Sequence, residues 1–147
     1  MRPPDPSSMS RLGLVVAQFN RSVTEPMEAE AHEAAEDRDA EIVETVSVPG
    51  VYDAPLAADR LARQDSIDAV AVIGAVVTGD TDHDQVIAQS CADALSEVSL
   101  DRDLPVTYGV SGPGMSGAEA RERTDVGSRA VESALSLLEE LPESDGQ

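Results

Sequence analysis

Residues 67–84 read IDAVAVIGAVVTGDTDHD. From Ile67 to Val77 the run is almost wholly apolar and rich in Val and Ile. It is far shorter than the roughly 20 residues a membrane span needs. An amphipathic helix would break it with a polar residue every third or fourth position. It therefore reads as a strand buried on both faces. Gly79 ends it, and a helix is predicted from about Asp82 to Ser99.

A strand buried on both faces needs strand neighbours and a covering layer on each side. Leu12–Ala17 (LGLVVA) has the same character. Glu41–Val48 is a second strand, broken by Pro49-Gly50, and Pro105–Val110 is a fourth. Helical spacing predicts helices over Ser22–Asp39 and Ala54–Gln64. In the first of these, Ser22 and Glu25 fit a capping box and Pro26 falls in the first turn. Gly109, Gly112, Pro113, Gly114 and Gly117 predict a loop. A short helix around Ala118–Arg123 and another over Gly127–Leu141 close the chain. The order βαβαβαβαα implies α/β architecture: a parallel sheet with helices on both faces. Ligands of such sheets lie beyond the carboxyl ends of the strands.

The 147 residues and 15.4 kDa suit one domain, and at this size roughly 70% of the chain's surface can be buried. Residues 12–141 are expected to form it, with a loose Pro- and Ser-rich segment over 1–11, Met9 as an alternative start, and a frayed tail over 142–147. The start shows no signal peptide. Ten basic residues, all arginine, face 29 acidic ones, a net charge of −19. That charge repels a phosphate backbone and anionic lipid, so nucleic acid and membrane are excluded as partners. One cysteine leaves no internal disulfide, and a cytoplasmic location is expected.

The charge is spread along the chain and 41% of residues are still hydrophobic, which argues against a disordered acidic tail. It reads as a surface built for concentrated salt, where at about 1 M the Debye length falls to roughly 3 Å.

Only three residues are aromatic: Phe19, Tyr52 and Tyr108. Each falls at or past the carboxyl end of a predicted strand. They either wall a flat ligand or cap the core at that edge. The segment Gly74–Asp84 runs from buried strand into a helix start. Free N–H groups and the positive dipole end there suit a phosphate, with Thr81 adding a hydroxyl. His83, in the first turn, is either an exposed cap residue or an imidazole placed for proton transfer. His83 with Asp80, Asp82 and Asp84 makes only a weak metal cluster, since no second His or Cys lies at ligand spacing. Cys91 falls on an apolar helix face and reads as core.

Together, VVAQFN (15–20), VPGVYDAP (48–55), IGAVVTGDTDHD (73–84), PVTYGVSGPGM (105–115) and RERTDVGSRAVESA (121–134) resemble the lumazine synthase family, in an archaeal, salt-adapted form. The resemblance implies a flavodoxin-like three-layer sandwich with a four-stranded parallel sheet of order 2-1-3-4. It implies a homopentamer with active sites between subunits, which some members build into an icosahedral shell. The implied reaction condenses 5-amino-6-ribitylaminouracil with 3,4-dihydroxy-2-butanone 4-phosphate, with no metal or organic cofactor. Phe19 matches the aromatic that stacks on the pyrimidine. Val51, Tyr52 and Asp53 match the segment holding the pyrimidine and ribityl chain, where Phe-Glu is frequent in the family. Ala75, Val76 and Val77 match the backbone that hydrogen-bonds the pyrimidine. Asp80 and Thr81 match the phosphate turn, His83 the proton-transfer residue, and Tyr108 an aromatic offered by the neighbouring subunit. Arg123 matches the arginine that pairs with phosphate, with Arg121 as fallback. Asn20 and Arg129 are further candidates. Rival readings are an archaeal-type riboflavin synthase, a flavin-binding flavodoxin-like carrier and a non-catalytic shell protein. The carrier would need a Ser-, Thr- and Gly-rich loop after the first strand, where AQFNRS stands instead.

A surface of this charge repels itself in dilute buffer. Thermal unfolding followed from molar salt down to about 10 mM, where the Debye length reaches roughly 30 Å, should show a falling Tm. A Tm independent of salt would mean that the charge is no adaptation to it.

Overall fold

The computed structural model describes residues 9–78 and 83–143. Its central strand, β3 (Ala69–Val77), is buried at every position. β1 (Arg11–Ala17) lies on one side of it and β4 (Val106–Met115) on the other, with β2 (Glu41–Val48) outside β1. All pairings are parallel, in the order β2-β1-β3-β4. Successive side chains alternate between two apolar layers. Leu12, Leu14, Val16, Ala71 and Ile73 meet α1 (Arg21–Asp37) and α5 (Asp125–Glu140). Val15, Ala17, Val70 and Val72 meet α2 (Ala54–Ala62) and α3 (Asp84–Arg102). Both faces are covered, so neither β1 nor β3 needs a polar side. Each fully buried Val, Leu or Ile contributes roughly 1.5–3 kcal/mol.

Several local expectations are corrected. The loose start gives up Arg11, whose N–H donates to Asp68 Oδ2 at 2.8 Å in β1. The Ser22–Glu25 capping box is absent. The helix starts at Arg21, so Ser22 is already inside it and Pro26 lies in its interior. Asn20 caps instead, in the left-handed region (φ 68°), and its carbonyl accepts the N–H groups of Val23 and Thr24. The Ser22 hydroxyl donates to Asn20 Oδ1 at 2.9 Å. The box forms at Ser116, whose Oγ accepts the Glu119 N–H while the Glu119 carboxylate accepts the Ser116 N–H. That caps α4 (Gly117–Arg121).

The glycine-rich stretch predicted as loop is largely strand. β4 pairs Ser111 with Ala75, detours, and pairs Met115 with Val77. Gly112 (φ 91°) and Gly114 (φ 85°) make the detour, and a Cβ on Gly112 would collide with the Val76 carbonyl. The Thr78 N–H closes it on the Met115 carbonyl at 2.7 Å. Propensity reads glycine and proline as breakers, but a positive-φ bulge lets a strand survive them. The helix predicted from Asp82 starts at Asp84.

The outer faces of α2 and α3 are tied by Asp59. It accepts from Arg102 Nε at 2.8 Å and from Arg63 Nη2 at 2.9 Å. The Arg102 hydrogen bond holds the Asp59 carboxyl below its ordinary value of 3.8, with Arg63 adding to it against the opposing effect of desolvation. A lowered folded-state pKa stabilises above the unfolded value and is lost as pH falls through the folded one. Asp59→Asn should therefore lower Tm by a few degrees near neutrality. Its gap from the parent should close as the pH drops below 3.8. An undiminished gap in acid would show that the carboxylate charge contributes nothing.

Candidate functional site

β1 leaves its neighbours at different points. It pairs with β3 only as far as Val16 opposite Ile73, but with β2 through Ala17 opposite Val48. The Gln18 and Phe19 N–H groups extend the β2 side onto the Val48 and Pro49 carbonyls at 2.8 and 3.0 Å. Beyond Ile73, β3 therefore runs on with no β1 partner. Ala75–Val77, beyond that last pairing, line a cavity of about 350 Å³.

That cavity is lined by Phe19, by Pro49–Asp53, by Ala75–Val77 and by Ile87. It lies where the strand order reverses, with β2 on one side of β1 and β3 on the other. Phe19 is 53% exposed and Tyr52 65%, so two rings face solvent at its mouth. Tyr52 and Asp53 stand on a 3₁₀ turn over Val51–Asp53. Its buried foot, Val51, packs against β3 at Gly74, where a Cβ would lie 2.8 Å from Ala17 Cβ and 3.0 Å from Val51 Cγ2. The Gly50 N–H donates to Asp53 Oδ2 at 3.0 Å, which aims the carboxylate and leaves further lone pairs for a hydroxyl ligand. The arrangement suits a flat heterocycle, with rings for its face, amides for its edge and a carboxylate for a polyol tail.

Phe19, Val51, Tyr52, Asp53, Ala75, Val76 and Val77 thus come together. Asn20 is adjacent, as the cap of α1. Ile87, Pro49 and Gly50 also line the cavity and were not expected. Ile87 could have been found as the apolar residue one helical turn past His83. Its N–H donates to the His83 carbonyl at 2.9 Å. His83 is exposed and caps α3 next to the site. Asp80 and Thr81 lie outside the described residues, as does the Asp80 and Asp82 part of the weak metal cluster.

Tyr108 corrects the expectation of three aromatics at one edge. It pairs with Val72, opposite the middle of β3. It lies in a second cleft of about 320 Å³ with Thr107, Val126, Arg129 and Ser133. Burial, helped by the nearby Cys91, pushes its phenol up to about 12, so it stays a hydrogen-bond donor. Cys91 is buried as expected, which raises its thiol to about 11. Arg129 pairs with Asp125 at 3.3 Å. Arg121 and Arg123 do not share a helix: α4 ends at Arg121, and Arg123 stands exposed in the turn that follows. Arg123 makes no ion pair among the described residues.

The family described as 6,7-dimethyl-8-ribityllumazine synthase matches residues 9–141. The chain belongs to this family. It is 74% identical to the protein of that name from Halobacterium salinarum over 133 residues, which are 90% of this chain and 100% of that one. The namesake from Halorubrum lacusprofundi is 71% identical over 90% of this chain and 99% of its own. That of Methanosarcina barkeri is 50% identical over 88% and 97%. The sheet order expected for lumazine synthases is the one observed, and the flavodoxin-like carrier and riboflavin synthase readings are not favoured. No helix among the described residues is long and apolar enough to cross a membrane.

The seat of the 3₁₀ turn can be tested by unfolding. Gly74→Ala overpacks Val51 against Ala17 and should lose roughly 1–3 kcal/mol. Gly50→Ala, whose Cβ would meet only Asp53 Oδ2 at 3.7 Å, should be near neutral. Equal losses in urea would contradict the close approach.

Proposed function

We propose that the chain makes 6,7-dimethyl-8-ribityllumazine from 5-amino-6-ribitylaminouracil and 3,4-dihydroxy-2-butanone 4-phosphate in riboflavin biosynthesis. The observation that carries this is the cavity in which Ala75–Val77, past the last β1 partner, meet Phe19 and Tyr52. Phe19 stacks on the pyrimidine, whose edge is held by the amides of Ala75, Val76 and Val77. Tyr52 and Asp53 hold the ribityl chain, with Val51 beneath them. Asp replaces the Glu frequent in the family, so its carboxylate reaches one methylene less far.

The pyrimidine's amine attacks the ketone, and loss of water gives a Schiff base. Phosphate leaves, the ring closes on the second nitrogen and a second water is lost. His83 moves protons in these steps. Asp80 and Thr81 form the phosphate turn and Arg123 supplies the cation. An arginine fork suits that task because it grips phosphate bidentately. It also offsets the field of a chain of charge −19. No metal or organic cofactor takes part.

A single chain holds the site in two parts. The Phe19 cavity and the Tyr108–Arg129 cleft are separate. Assembly as a homopentamer would bring the cleft of one subunit to the cavity of the next, and further assembly into a shell is compatible with this. We assign the enzyme to the cytoplasm.

Both substrates mixed with enzyme in molar salt should give the absorbance of the lumazine. Arg123→Ala should raise KM for the butanone phosphate far more than KM for the pyrimidine, and equal changes would remove its role. His83→Ala should lower kcat by about 10- to 1,000-fold, and full turnover would assign the proton to another group.

A further inference from the structure

Arg123 stands in the short junction between α4 and α5. Local turns shape this junction: Arg123 N–H to Ala120 carbonyl at 3.0 Å, Val126 N–H to Arg123 carbonyl at 3.2 Å, and Gly127 N–H to Thr124 carbonyl at 3.0 Å. None of these fixes the junction on the body of the subunit. Ala120, fully buried, and Val126 seat the junction on the core, and α1 adds two residues three apart on one helical face. Gly127 lies so close to Met27 that a Cβ would come within 2.7 Å of the Met27 carbonyl oxygen. Beside that contact the Thr124 hydroxyl donates to Glu30 Oε2 at 2.6 Å. The distance is that of a charge-assisted O–H to carboxylate bond.

We propose that the Thr124–Glu30 hydrogen bond positions Arg123 for the substrate phosphate. The packing at Gly127 sets how close the two helices come, and it has no directional preference. The hydrogen bond adds direction to the residue next to Arg123. It also turns the Glu30 carboxylate onto a neutral partner. Glu30 makes no ion pair with Arg123, and Glu119 is a carboxylate that acts on its charge. Thr124 and Glu30 touch no substrate in this scheme and act only through Arg123. The proposal rests on the assignment of Arg123 to the phosphate.

The test compares Thr124→Val, Thr124→Ser, Glu30→Ala and Arg123→Ala in the assembled enzyme, with KM measured for each substrate. Valine keeps the shape of threonine and removes the donor. Thr124→Val should raise KM for the butanone phosphate by about three- to tenfold. Its pyrimidine KM and its kcat should stay near the parent's. Thr124→Ser should restore the parent KM. The double variant Thr124→Val/Glu30→Ala should be no worse than the poorer single, because both remove one bond. If Arg123→Ala raises the phosphate KM and Thr124→Val does not, the hydrogen bond has no positioning role. Both KM values rising together in Thr124→Val without rescue by serine would reduce the bond to general stability and overturn the proposal. If Arg123→Ala itself leaves the phosphate KM unchanged, the Arg123 assignment fails first, and the positioning role falls with it.

Discussion

The site depends on a mismatch of strand lengths. β3 continues past Ile73, where its pairing with β1 stops. Inside a sheet every backbone N–H and C=O has a strand partner, and an unpaired buried one is costly. Here β1 turns away at Phe19, bound to the end of β2 instead. The edge that remains is rigid because β3 is buried along its length and held by β4 on the other side. The amides of that edge that point away from β4 make a rigid recognition surface for a flat ring with donors and acceptors along its rim. Phe19 and Tyr52 stand beside that edge because they follow the ends of β1 and of β2, which pairs with it.

The charge imposes the second constraint. With ten arginines against 29 carboxylates, cations are scarce, and several are already engaged. Arg102 and Arg63 share Asp59, Arg38 meets Glu139, and Arg21 lies between Glu25 and Glu28. The exposed ones among these contribute at most about 1 kcal/mol and fade as salt rises. Concentrated salt therefore weakens the mutual repulsion of the acidic surface and these pairs together, and apolar burial is left to carry the fold. Among the described residues Arg123, like Arg60 and Arg121, makes no ion pair, and Glu119 is a carboxylate whose charge it meets.

The layering is legible because β1 after Arg11 and all of β3 are apolar, a pattern that a sheet covered on both faces explains. Glu41–Val48 was placed to the residue because Pro49-Gly50 marks its end. β4 was read too short because glycine and proline signal a break, whereas Gly112 and Gly114 at positive φ form a bulge that returns to the ladder. The Ser22 cap was misplaced because two polar residues, Asn20 and Ser22, competed for one helix start and the chain uses the earlier. Ser116 and Glu119 carried the genuine capping signal. Of the site, the Phe19 and Tyr52 walls were visible from their position after strands. Ile87 was not, because an apolar residue in a first helical turn resembles any core residue.

Tyr108 shows what a single chain withholds. Three scarce aromatics after three strand ends suggested one wall, yet Tyr108 lies halfway along the sheet, in a cleft with Arg129. An aromatic 38% exposed beside an arginine is poorly used as a cap for the core. Its ring would be better buried against a second surface, and the Phe19 cavity is one that is open to solvent at Phe19 and Tyr52 among the described residues. A polar reaction that expels water gains from enclosure, since each fixed dipole acts more strongly where solvent is excluded. The two incomplete surfaces of one chain are thus complementary in chemistry: rings and amides without a cation on one, an aromatic and an arginine on the other. Their union across subunits would supply what neither holds alone, and association would then be part of the chemistry as well as of stability.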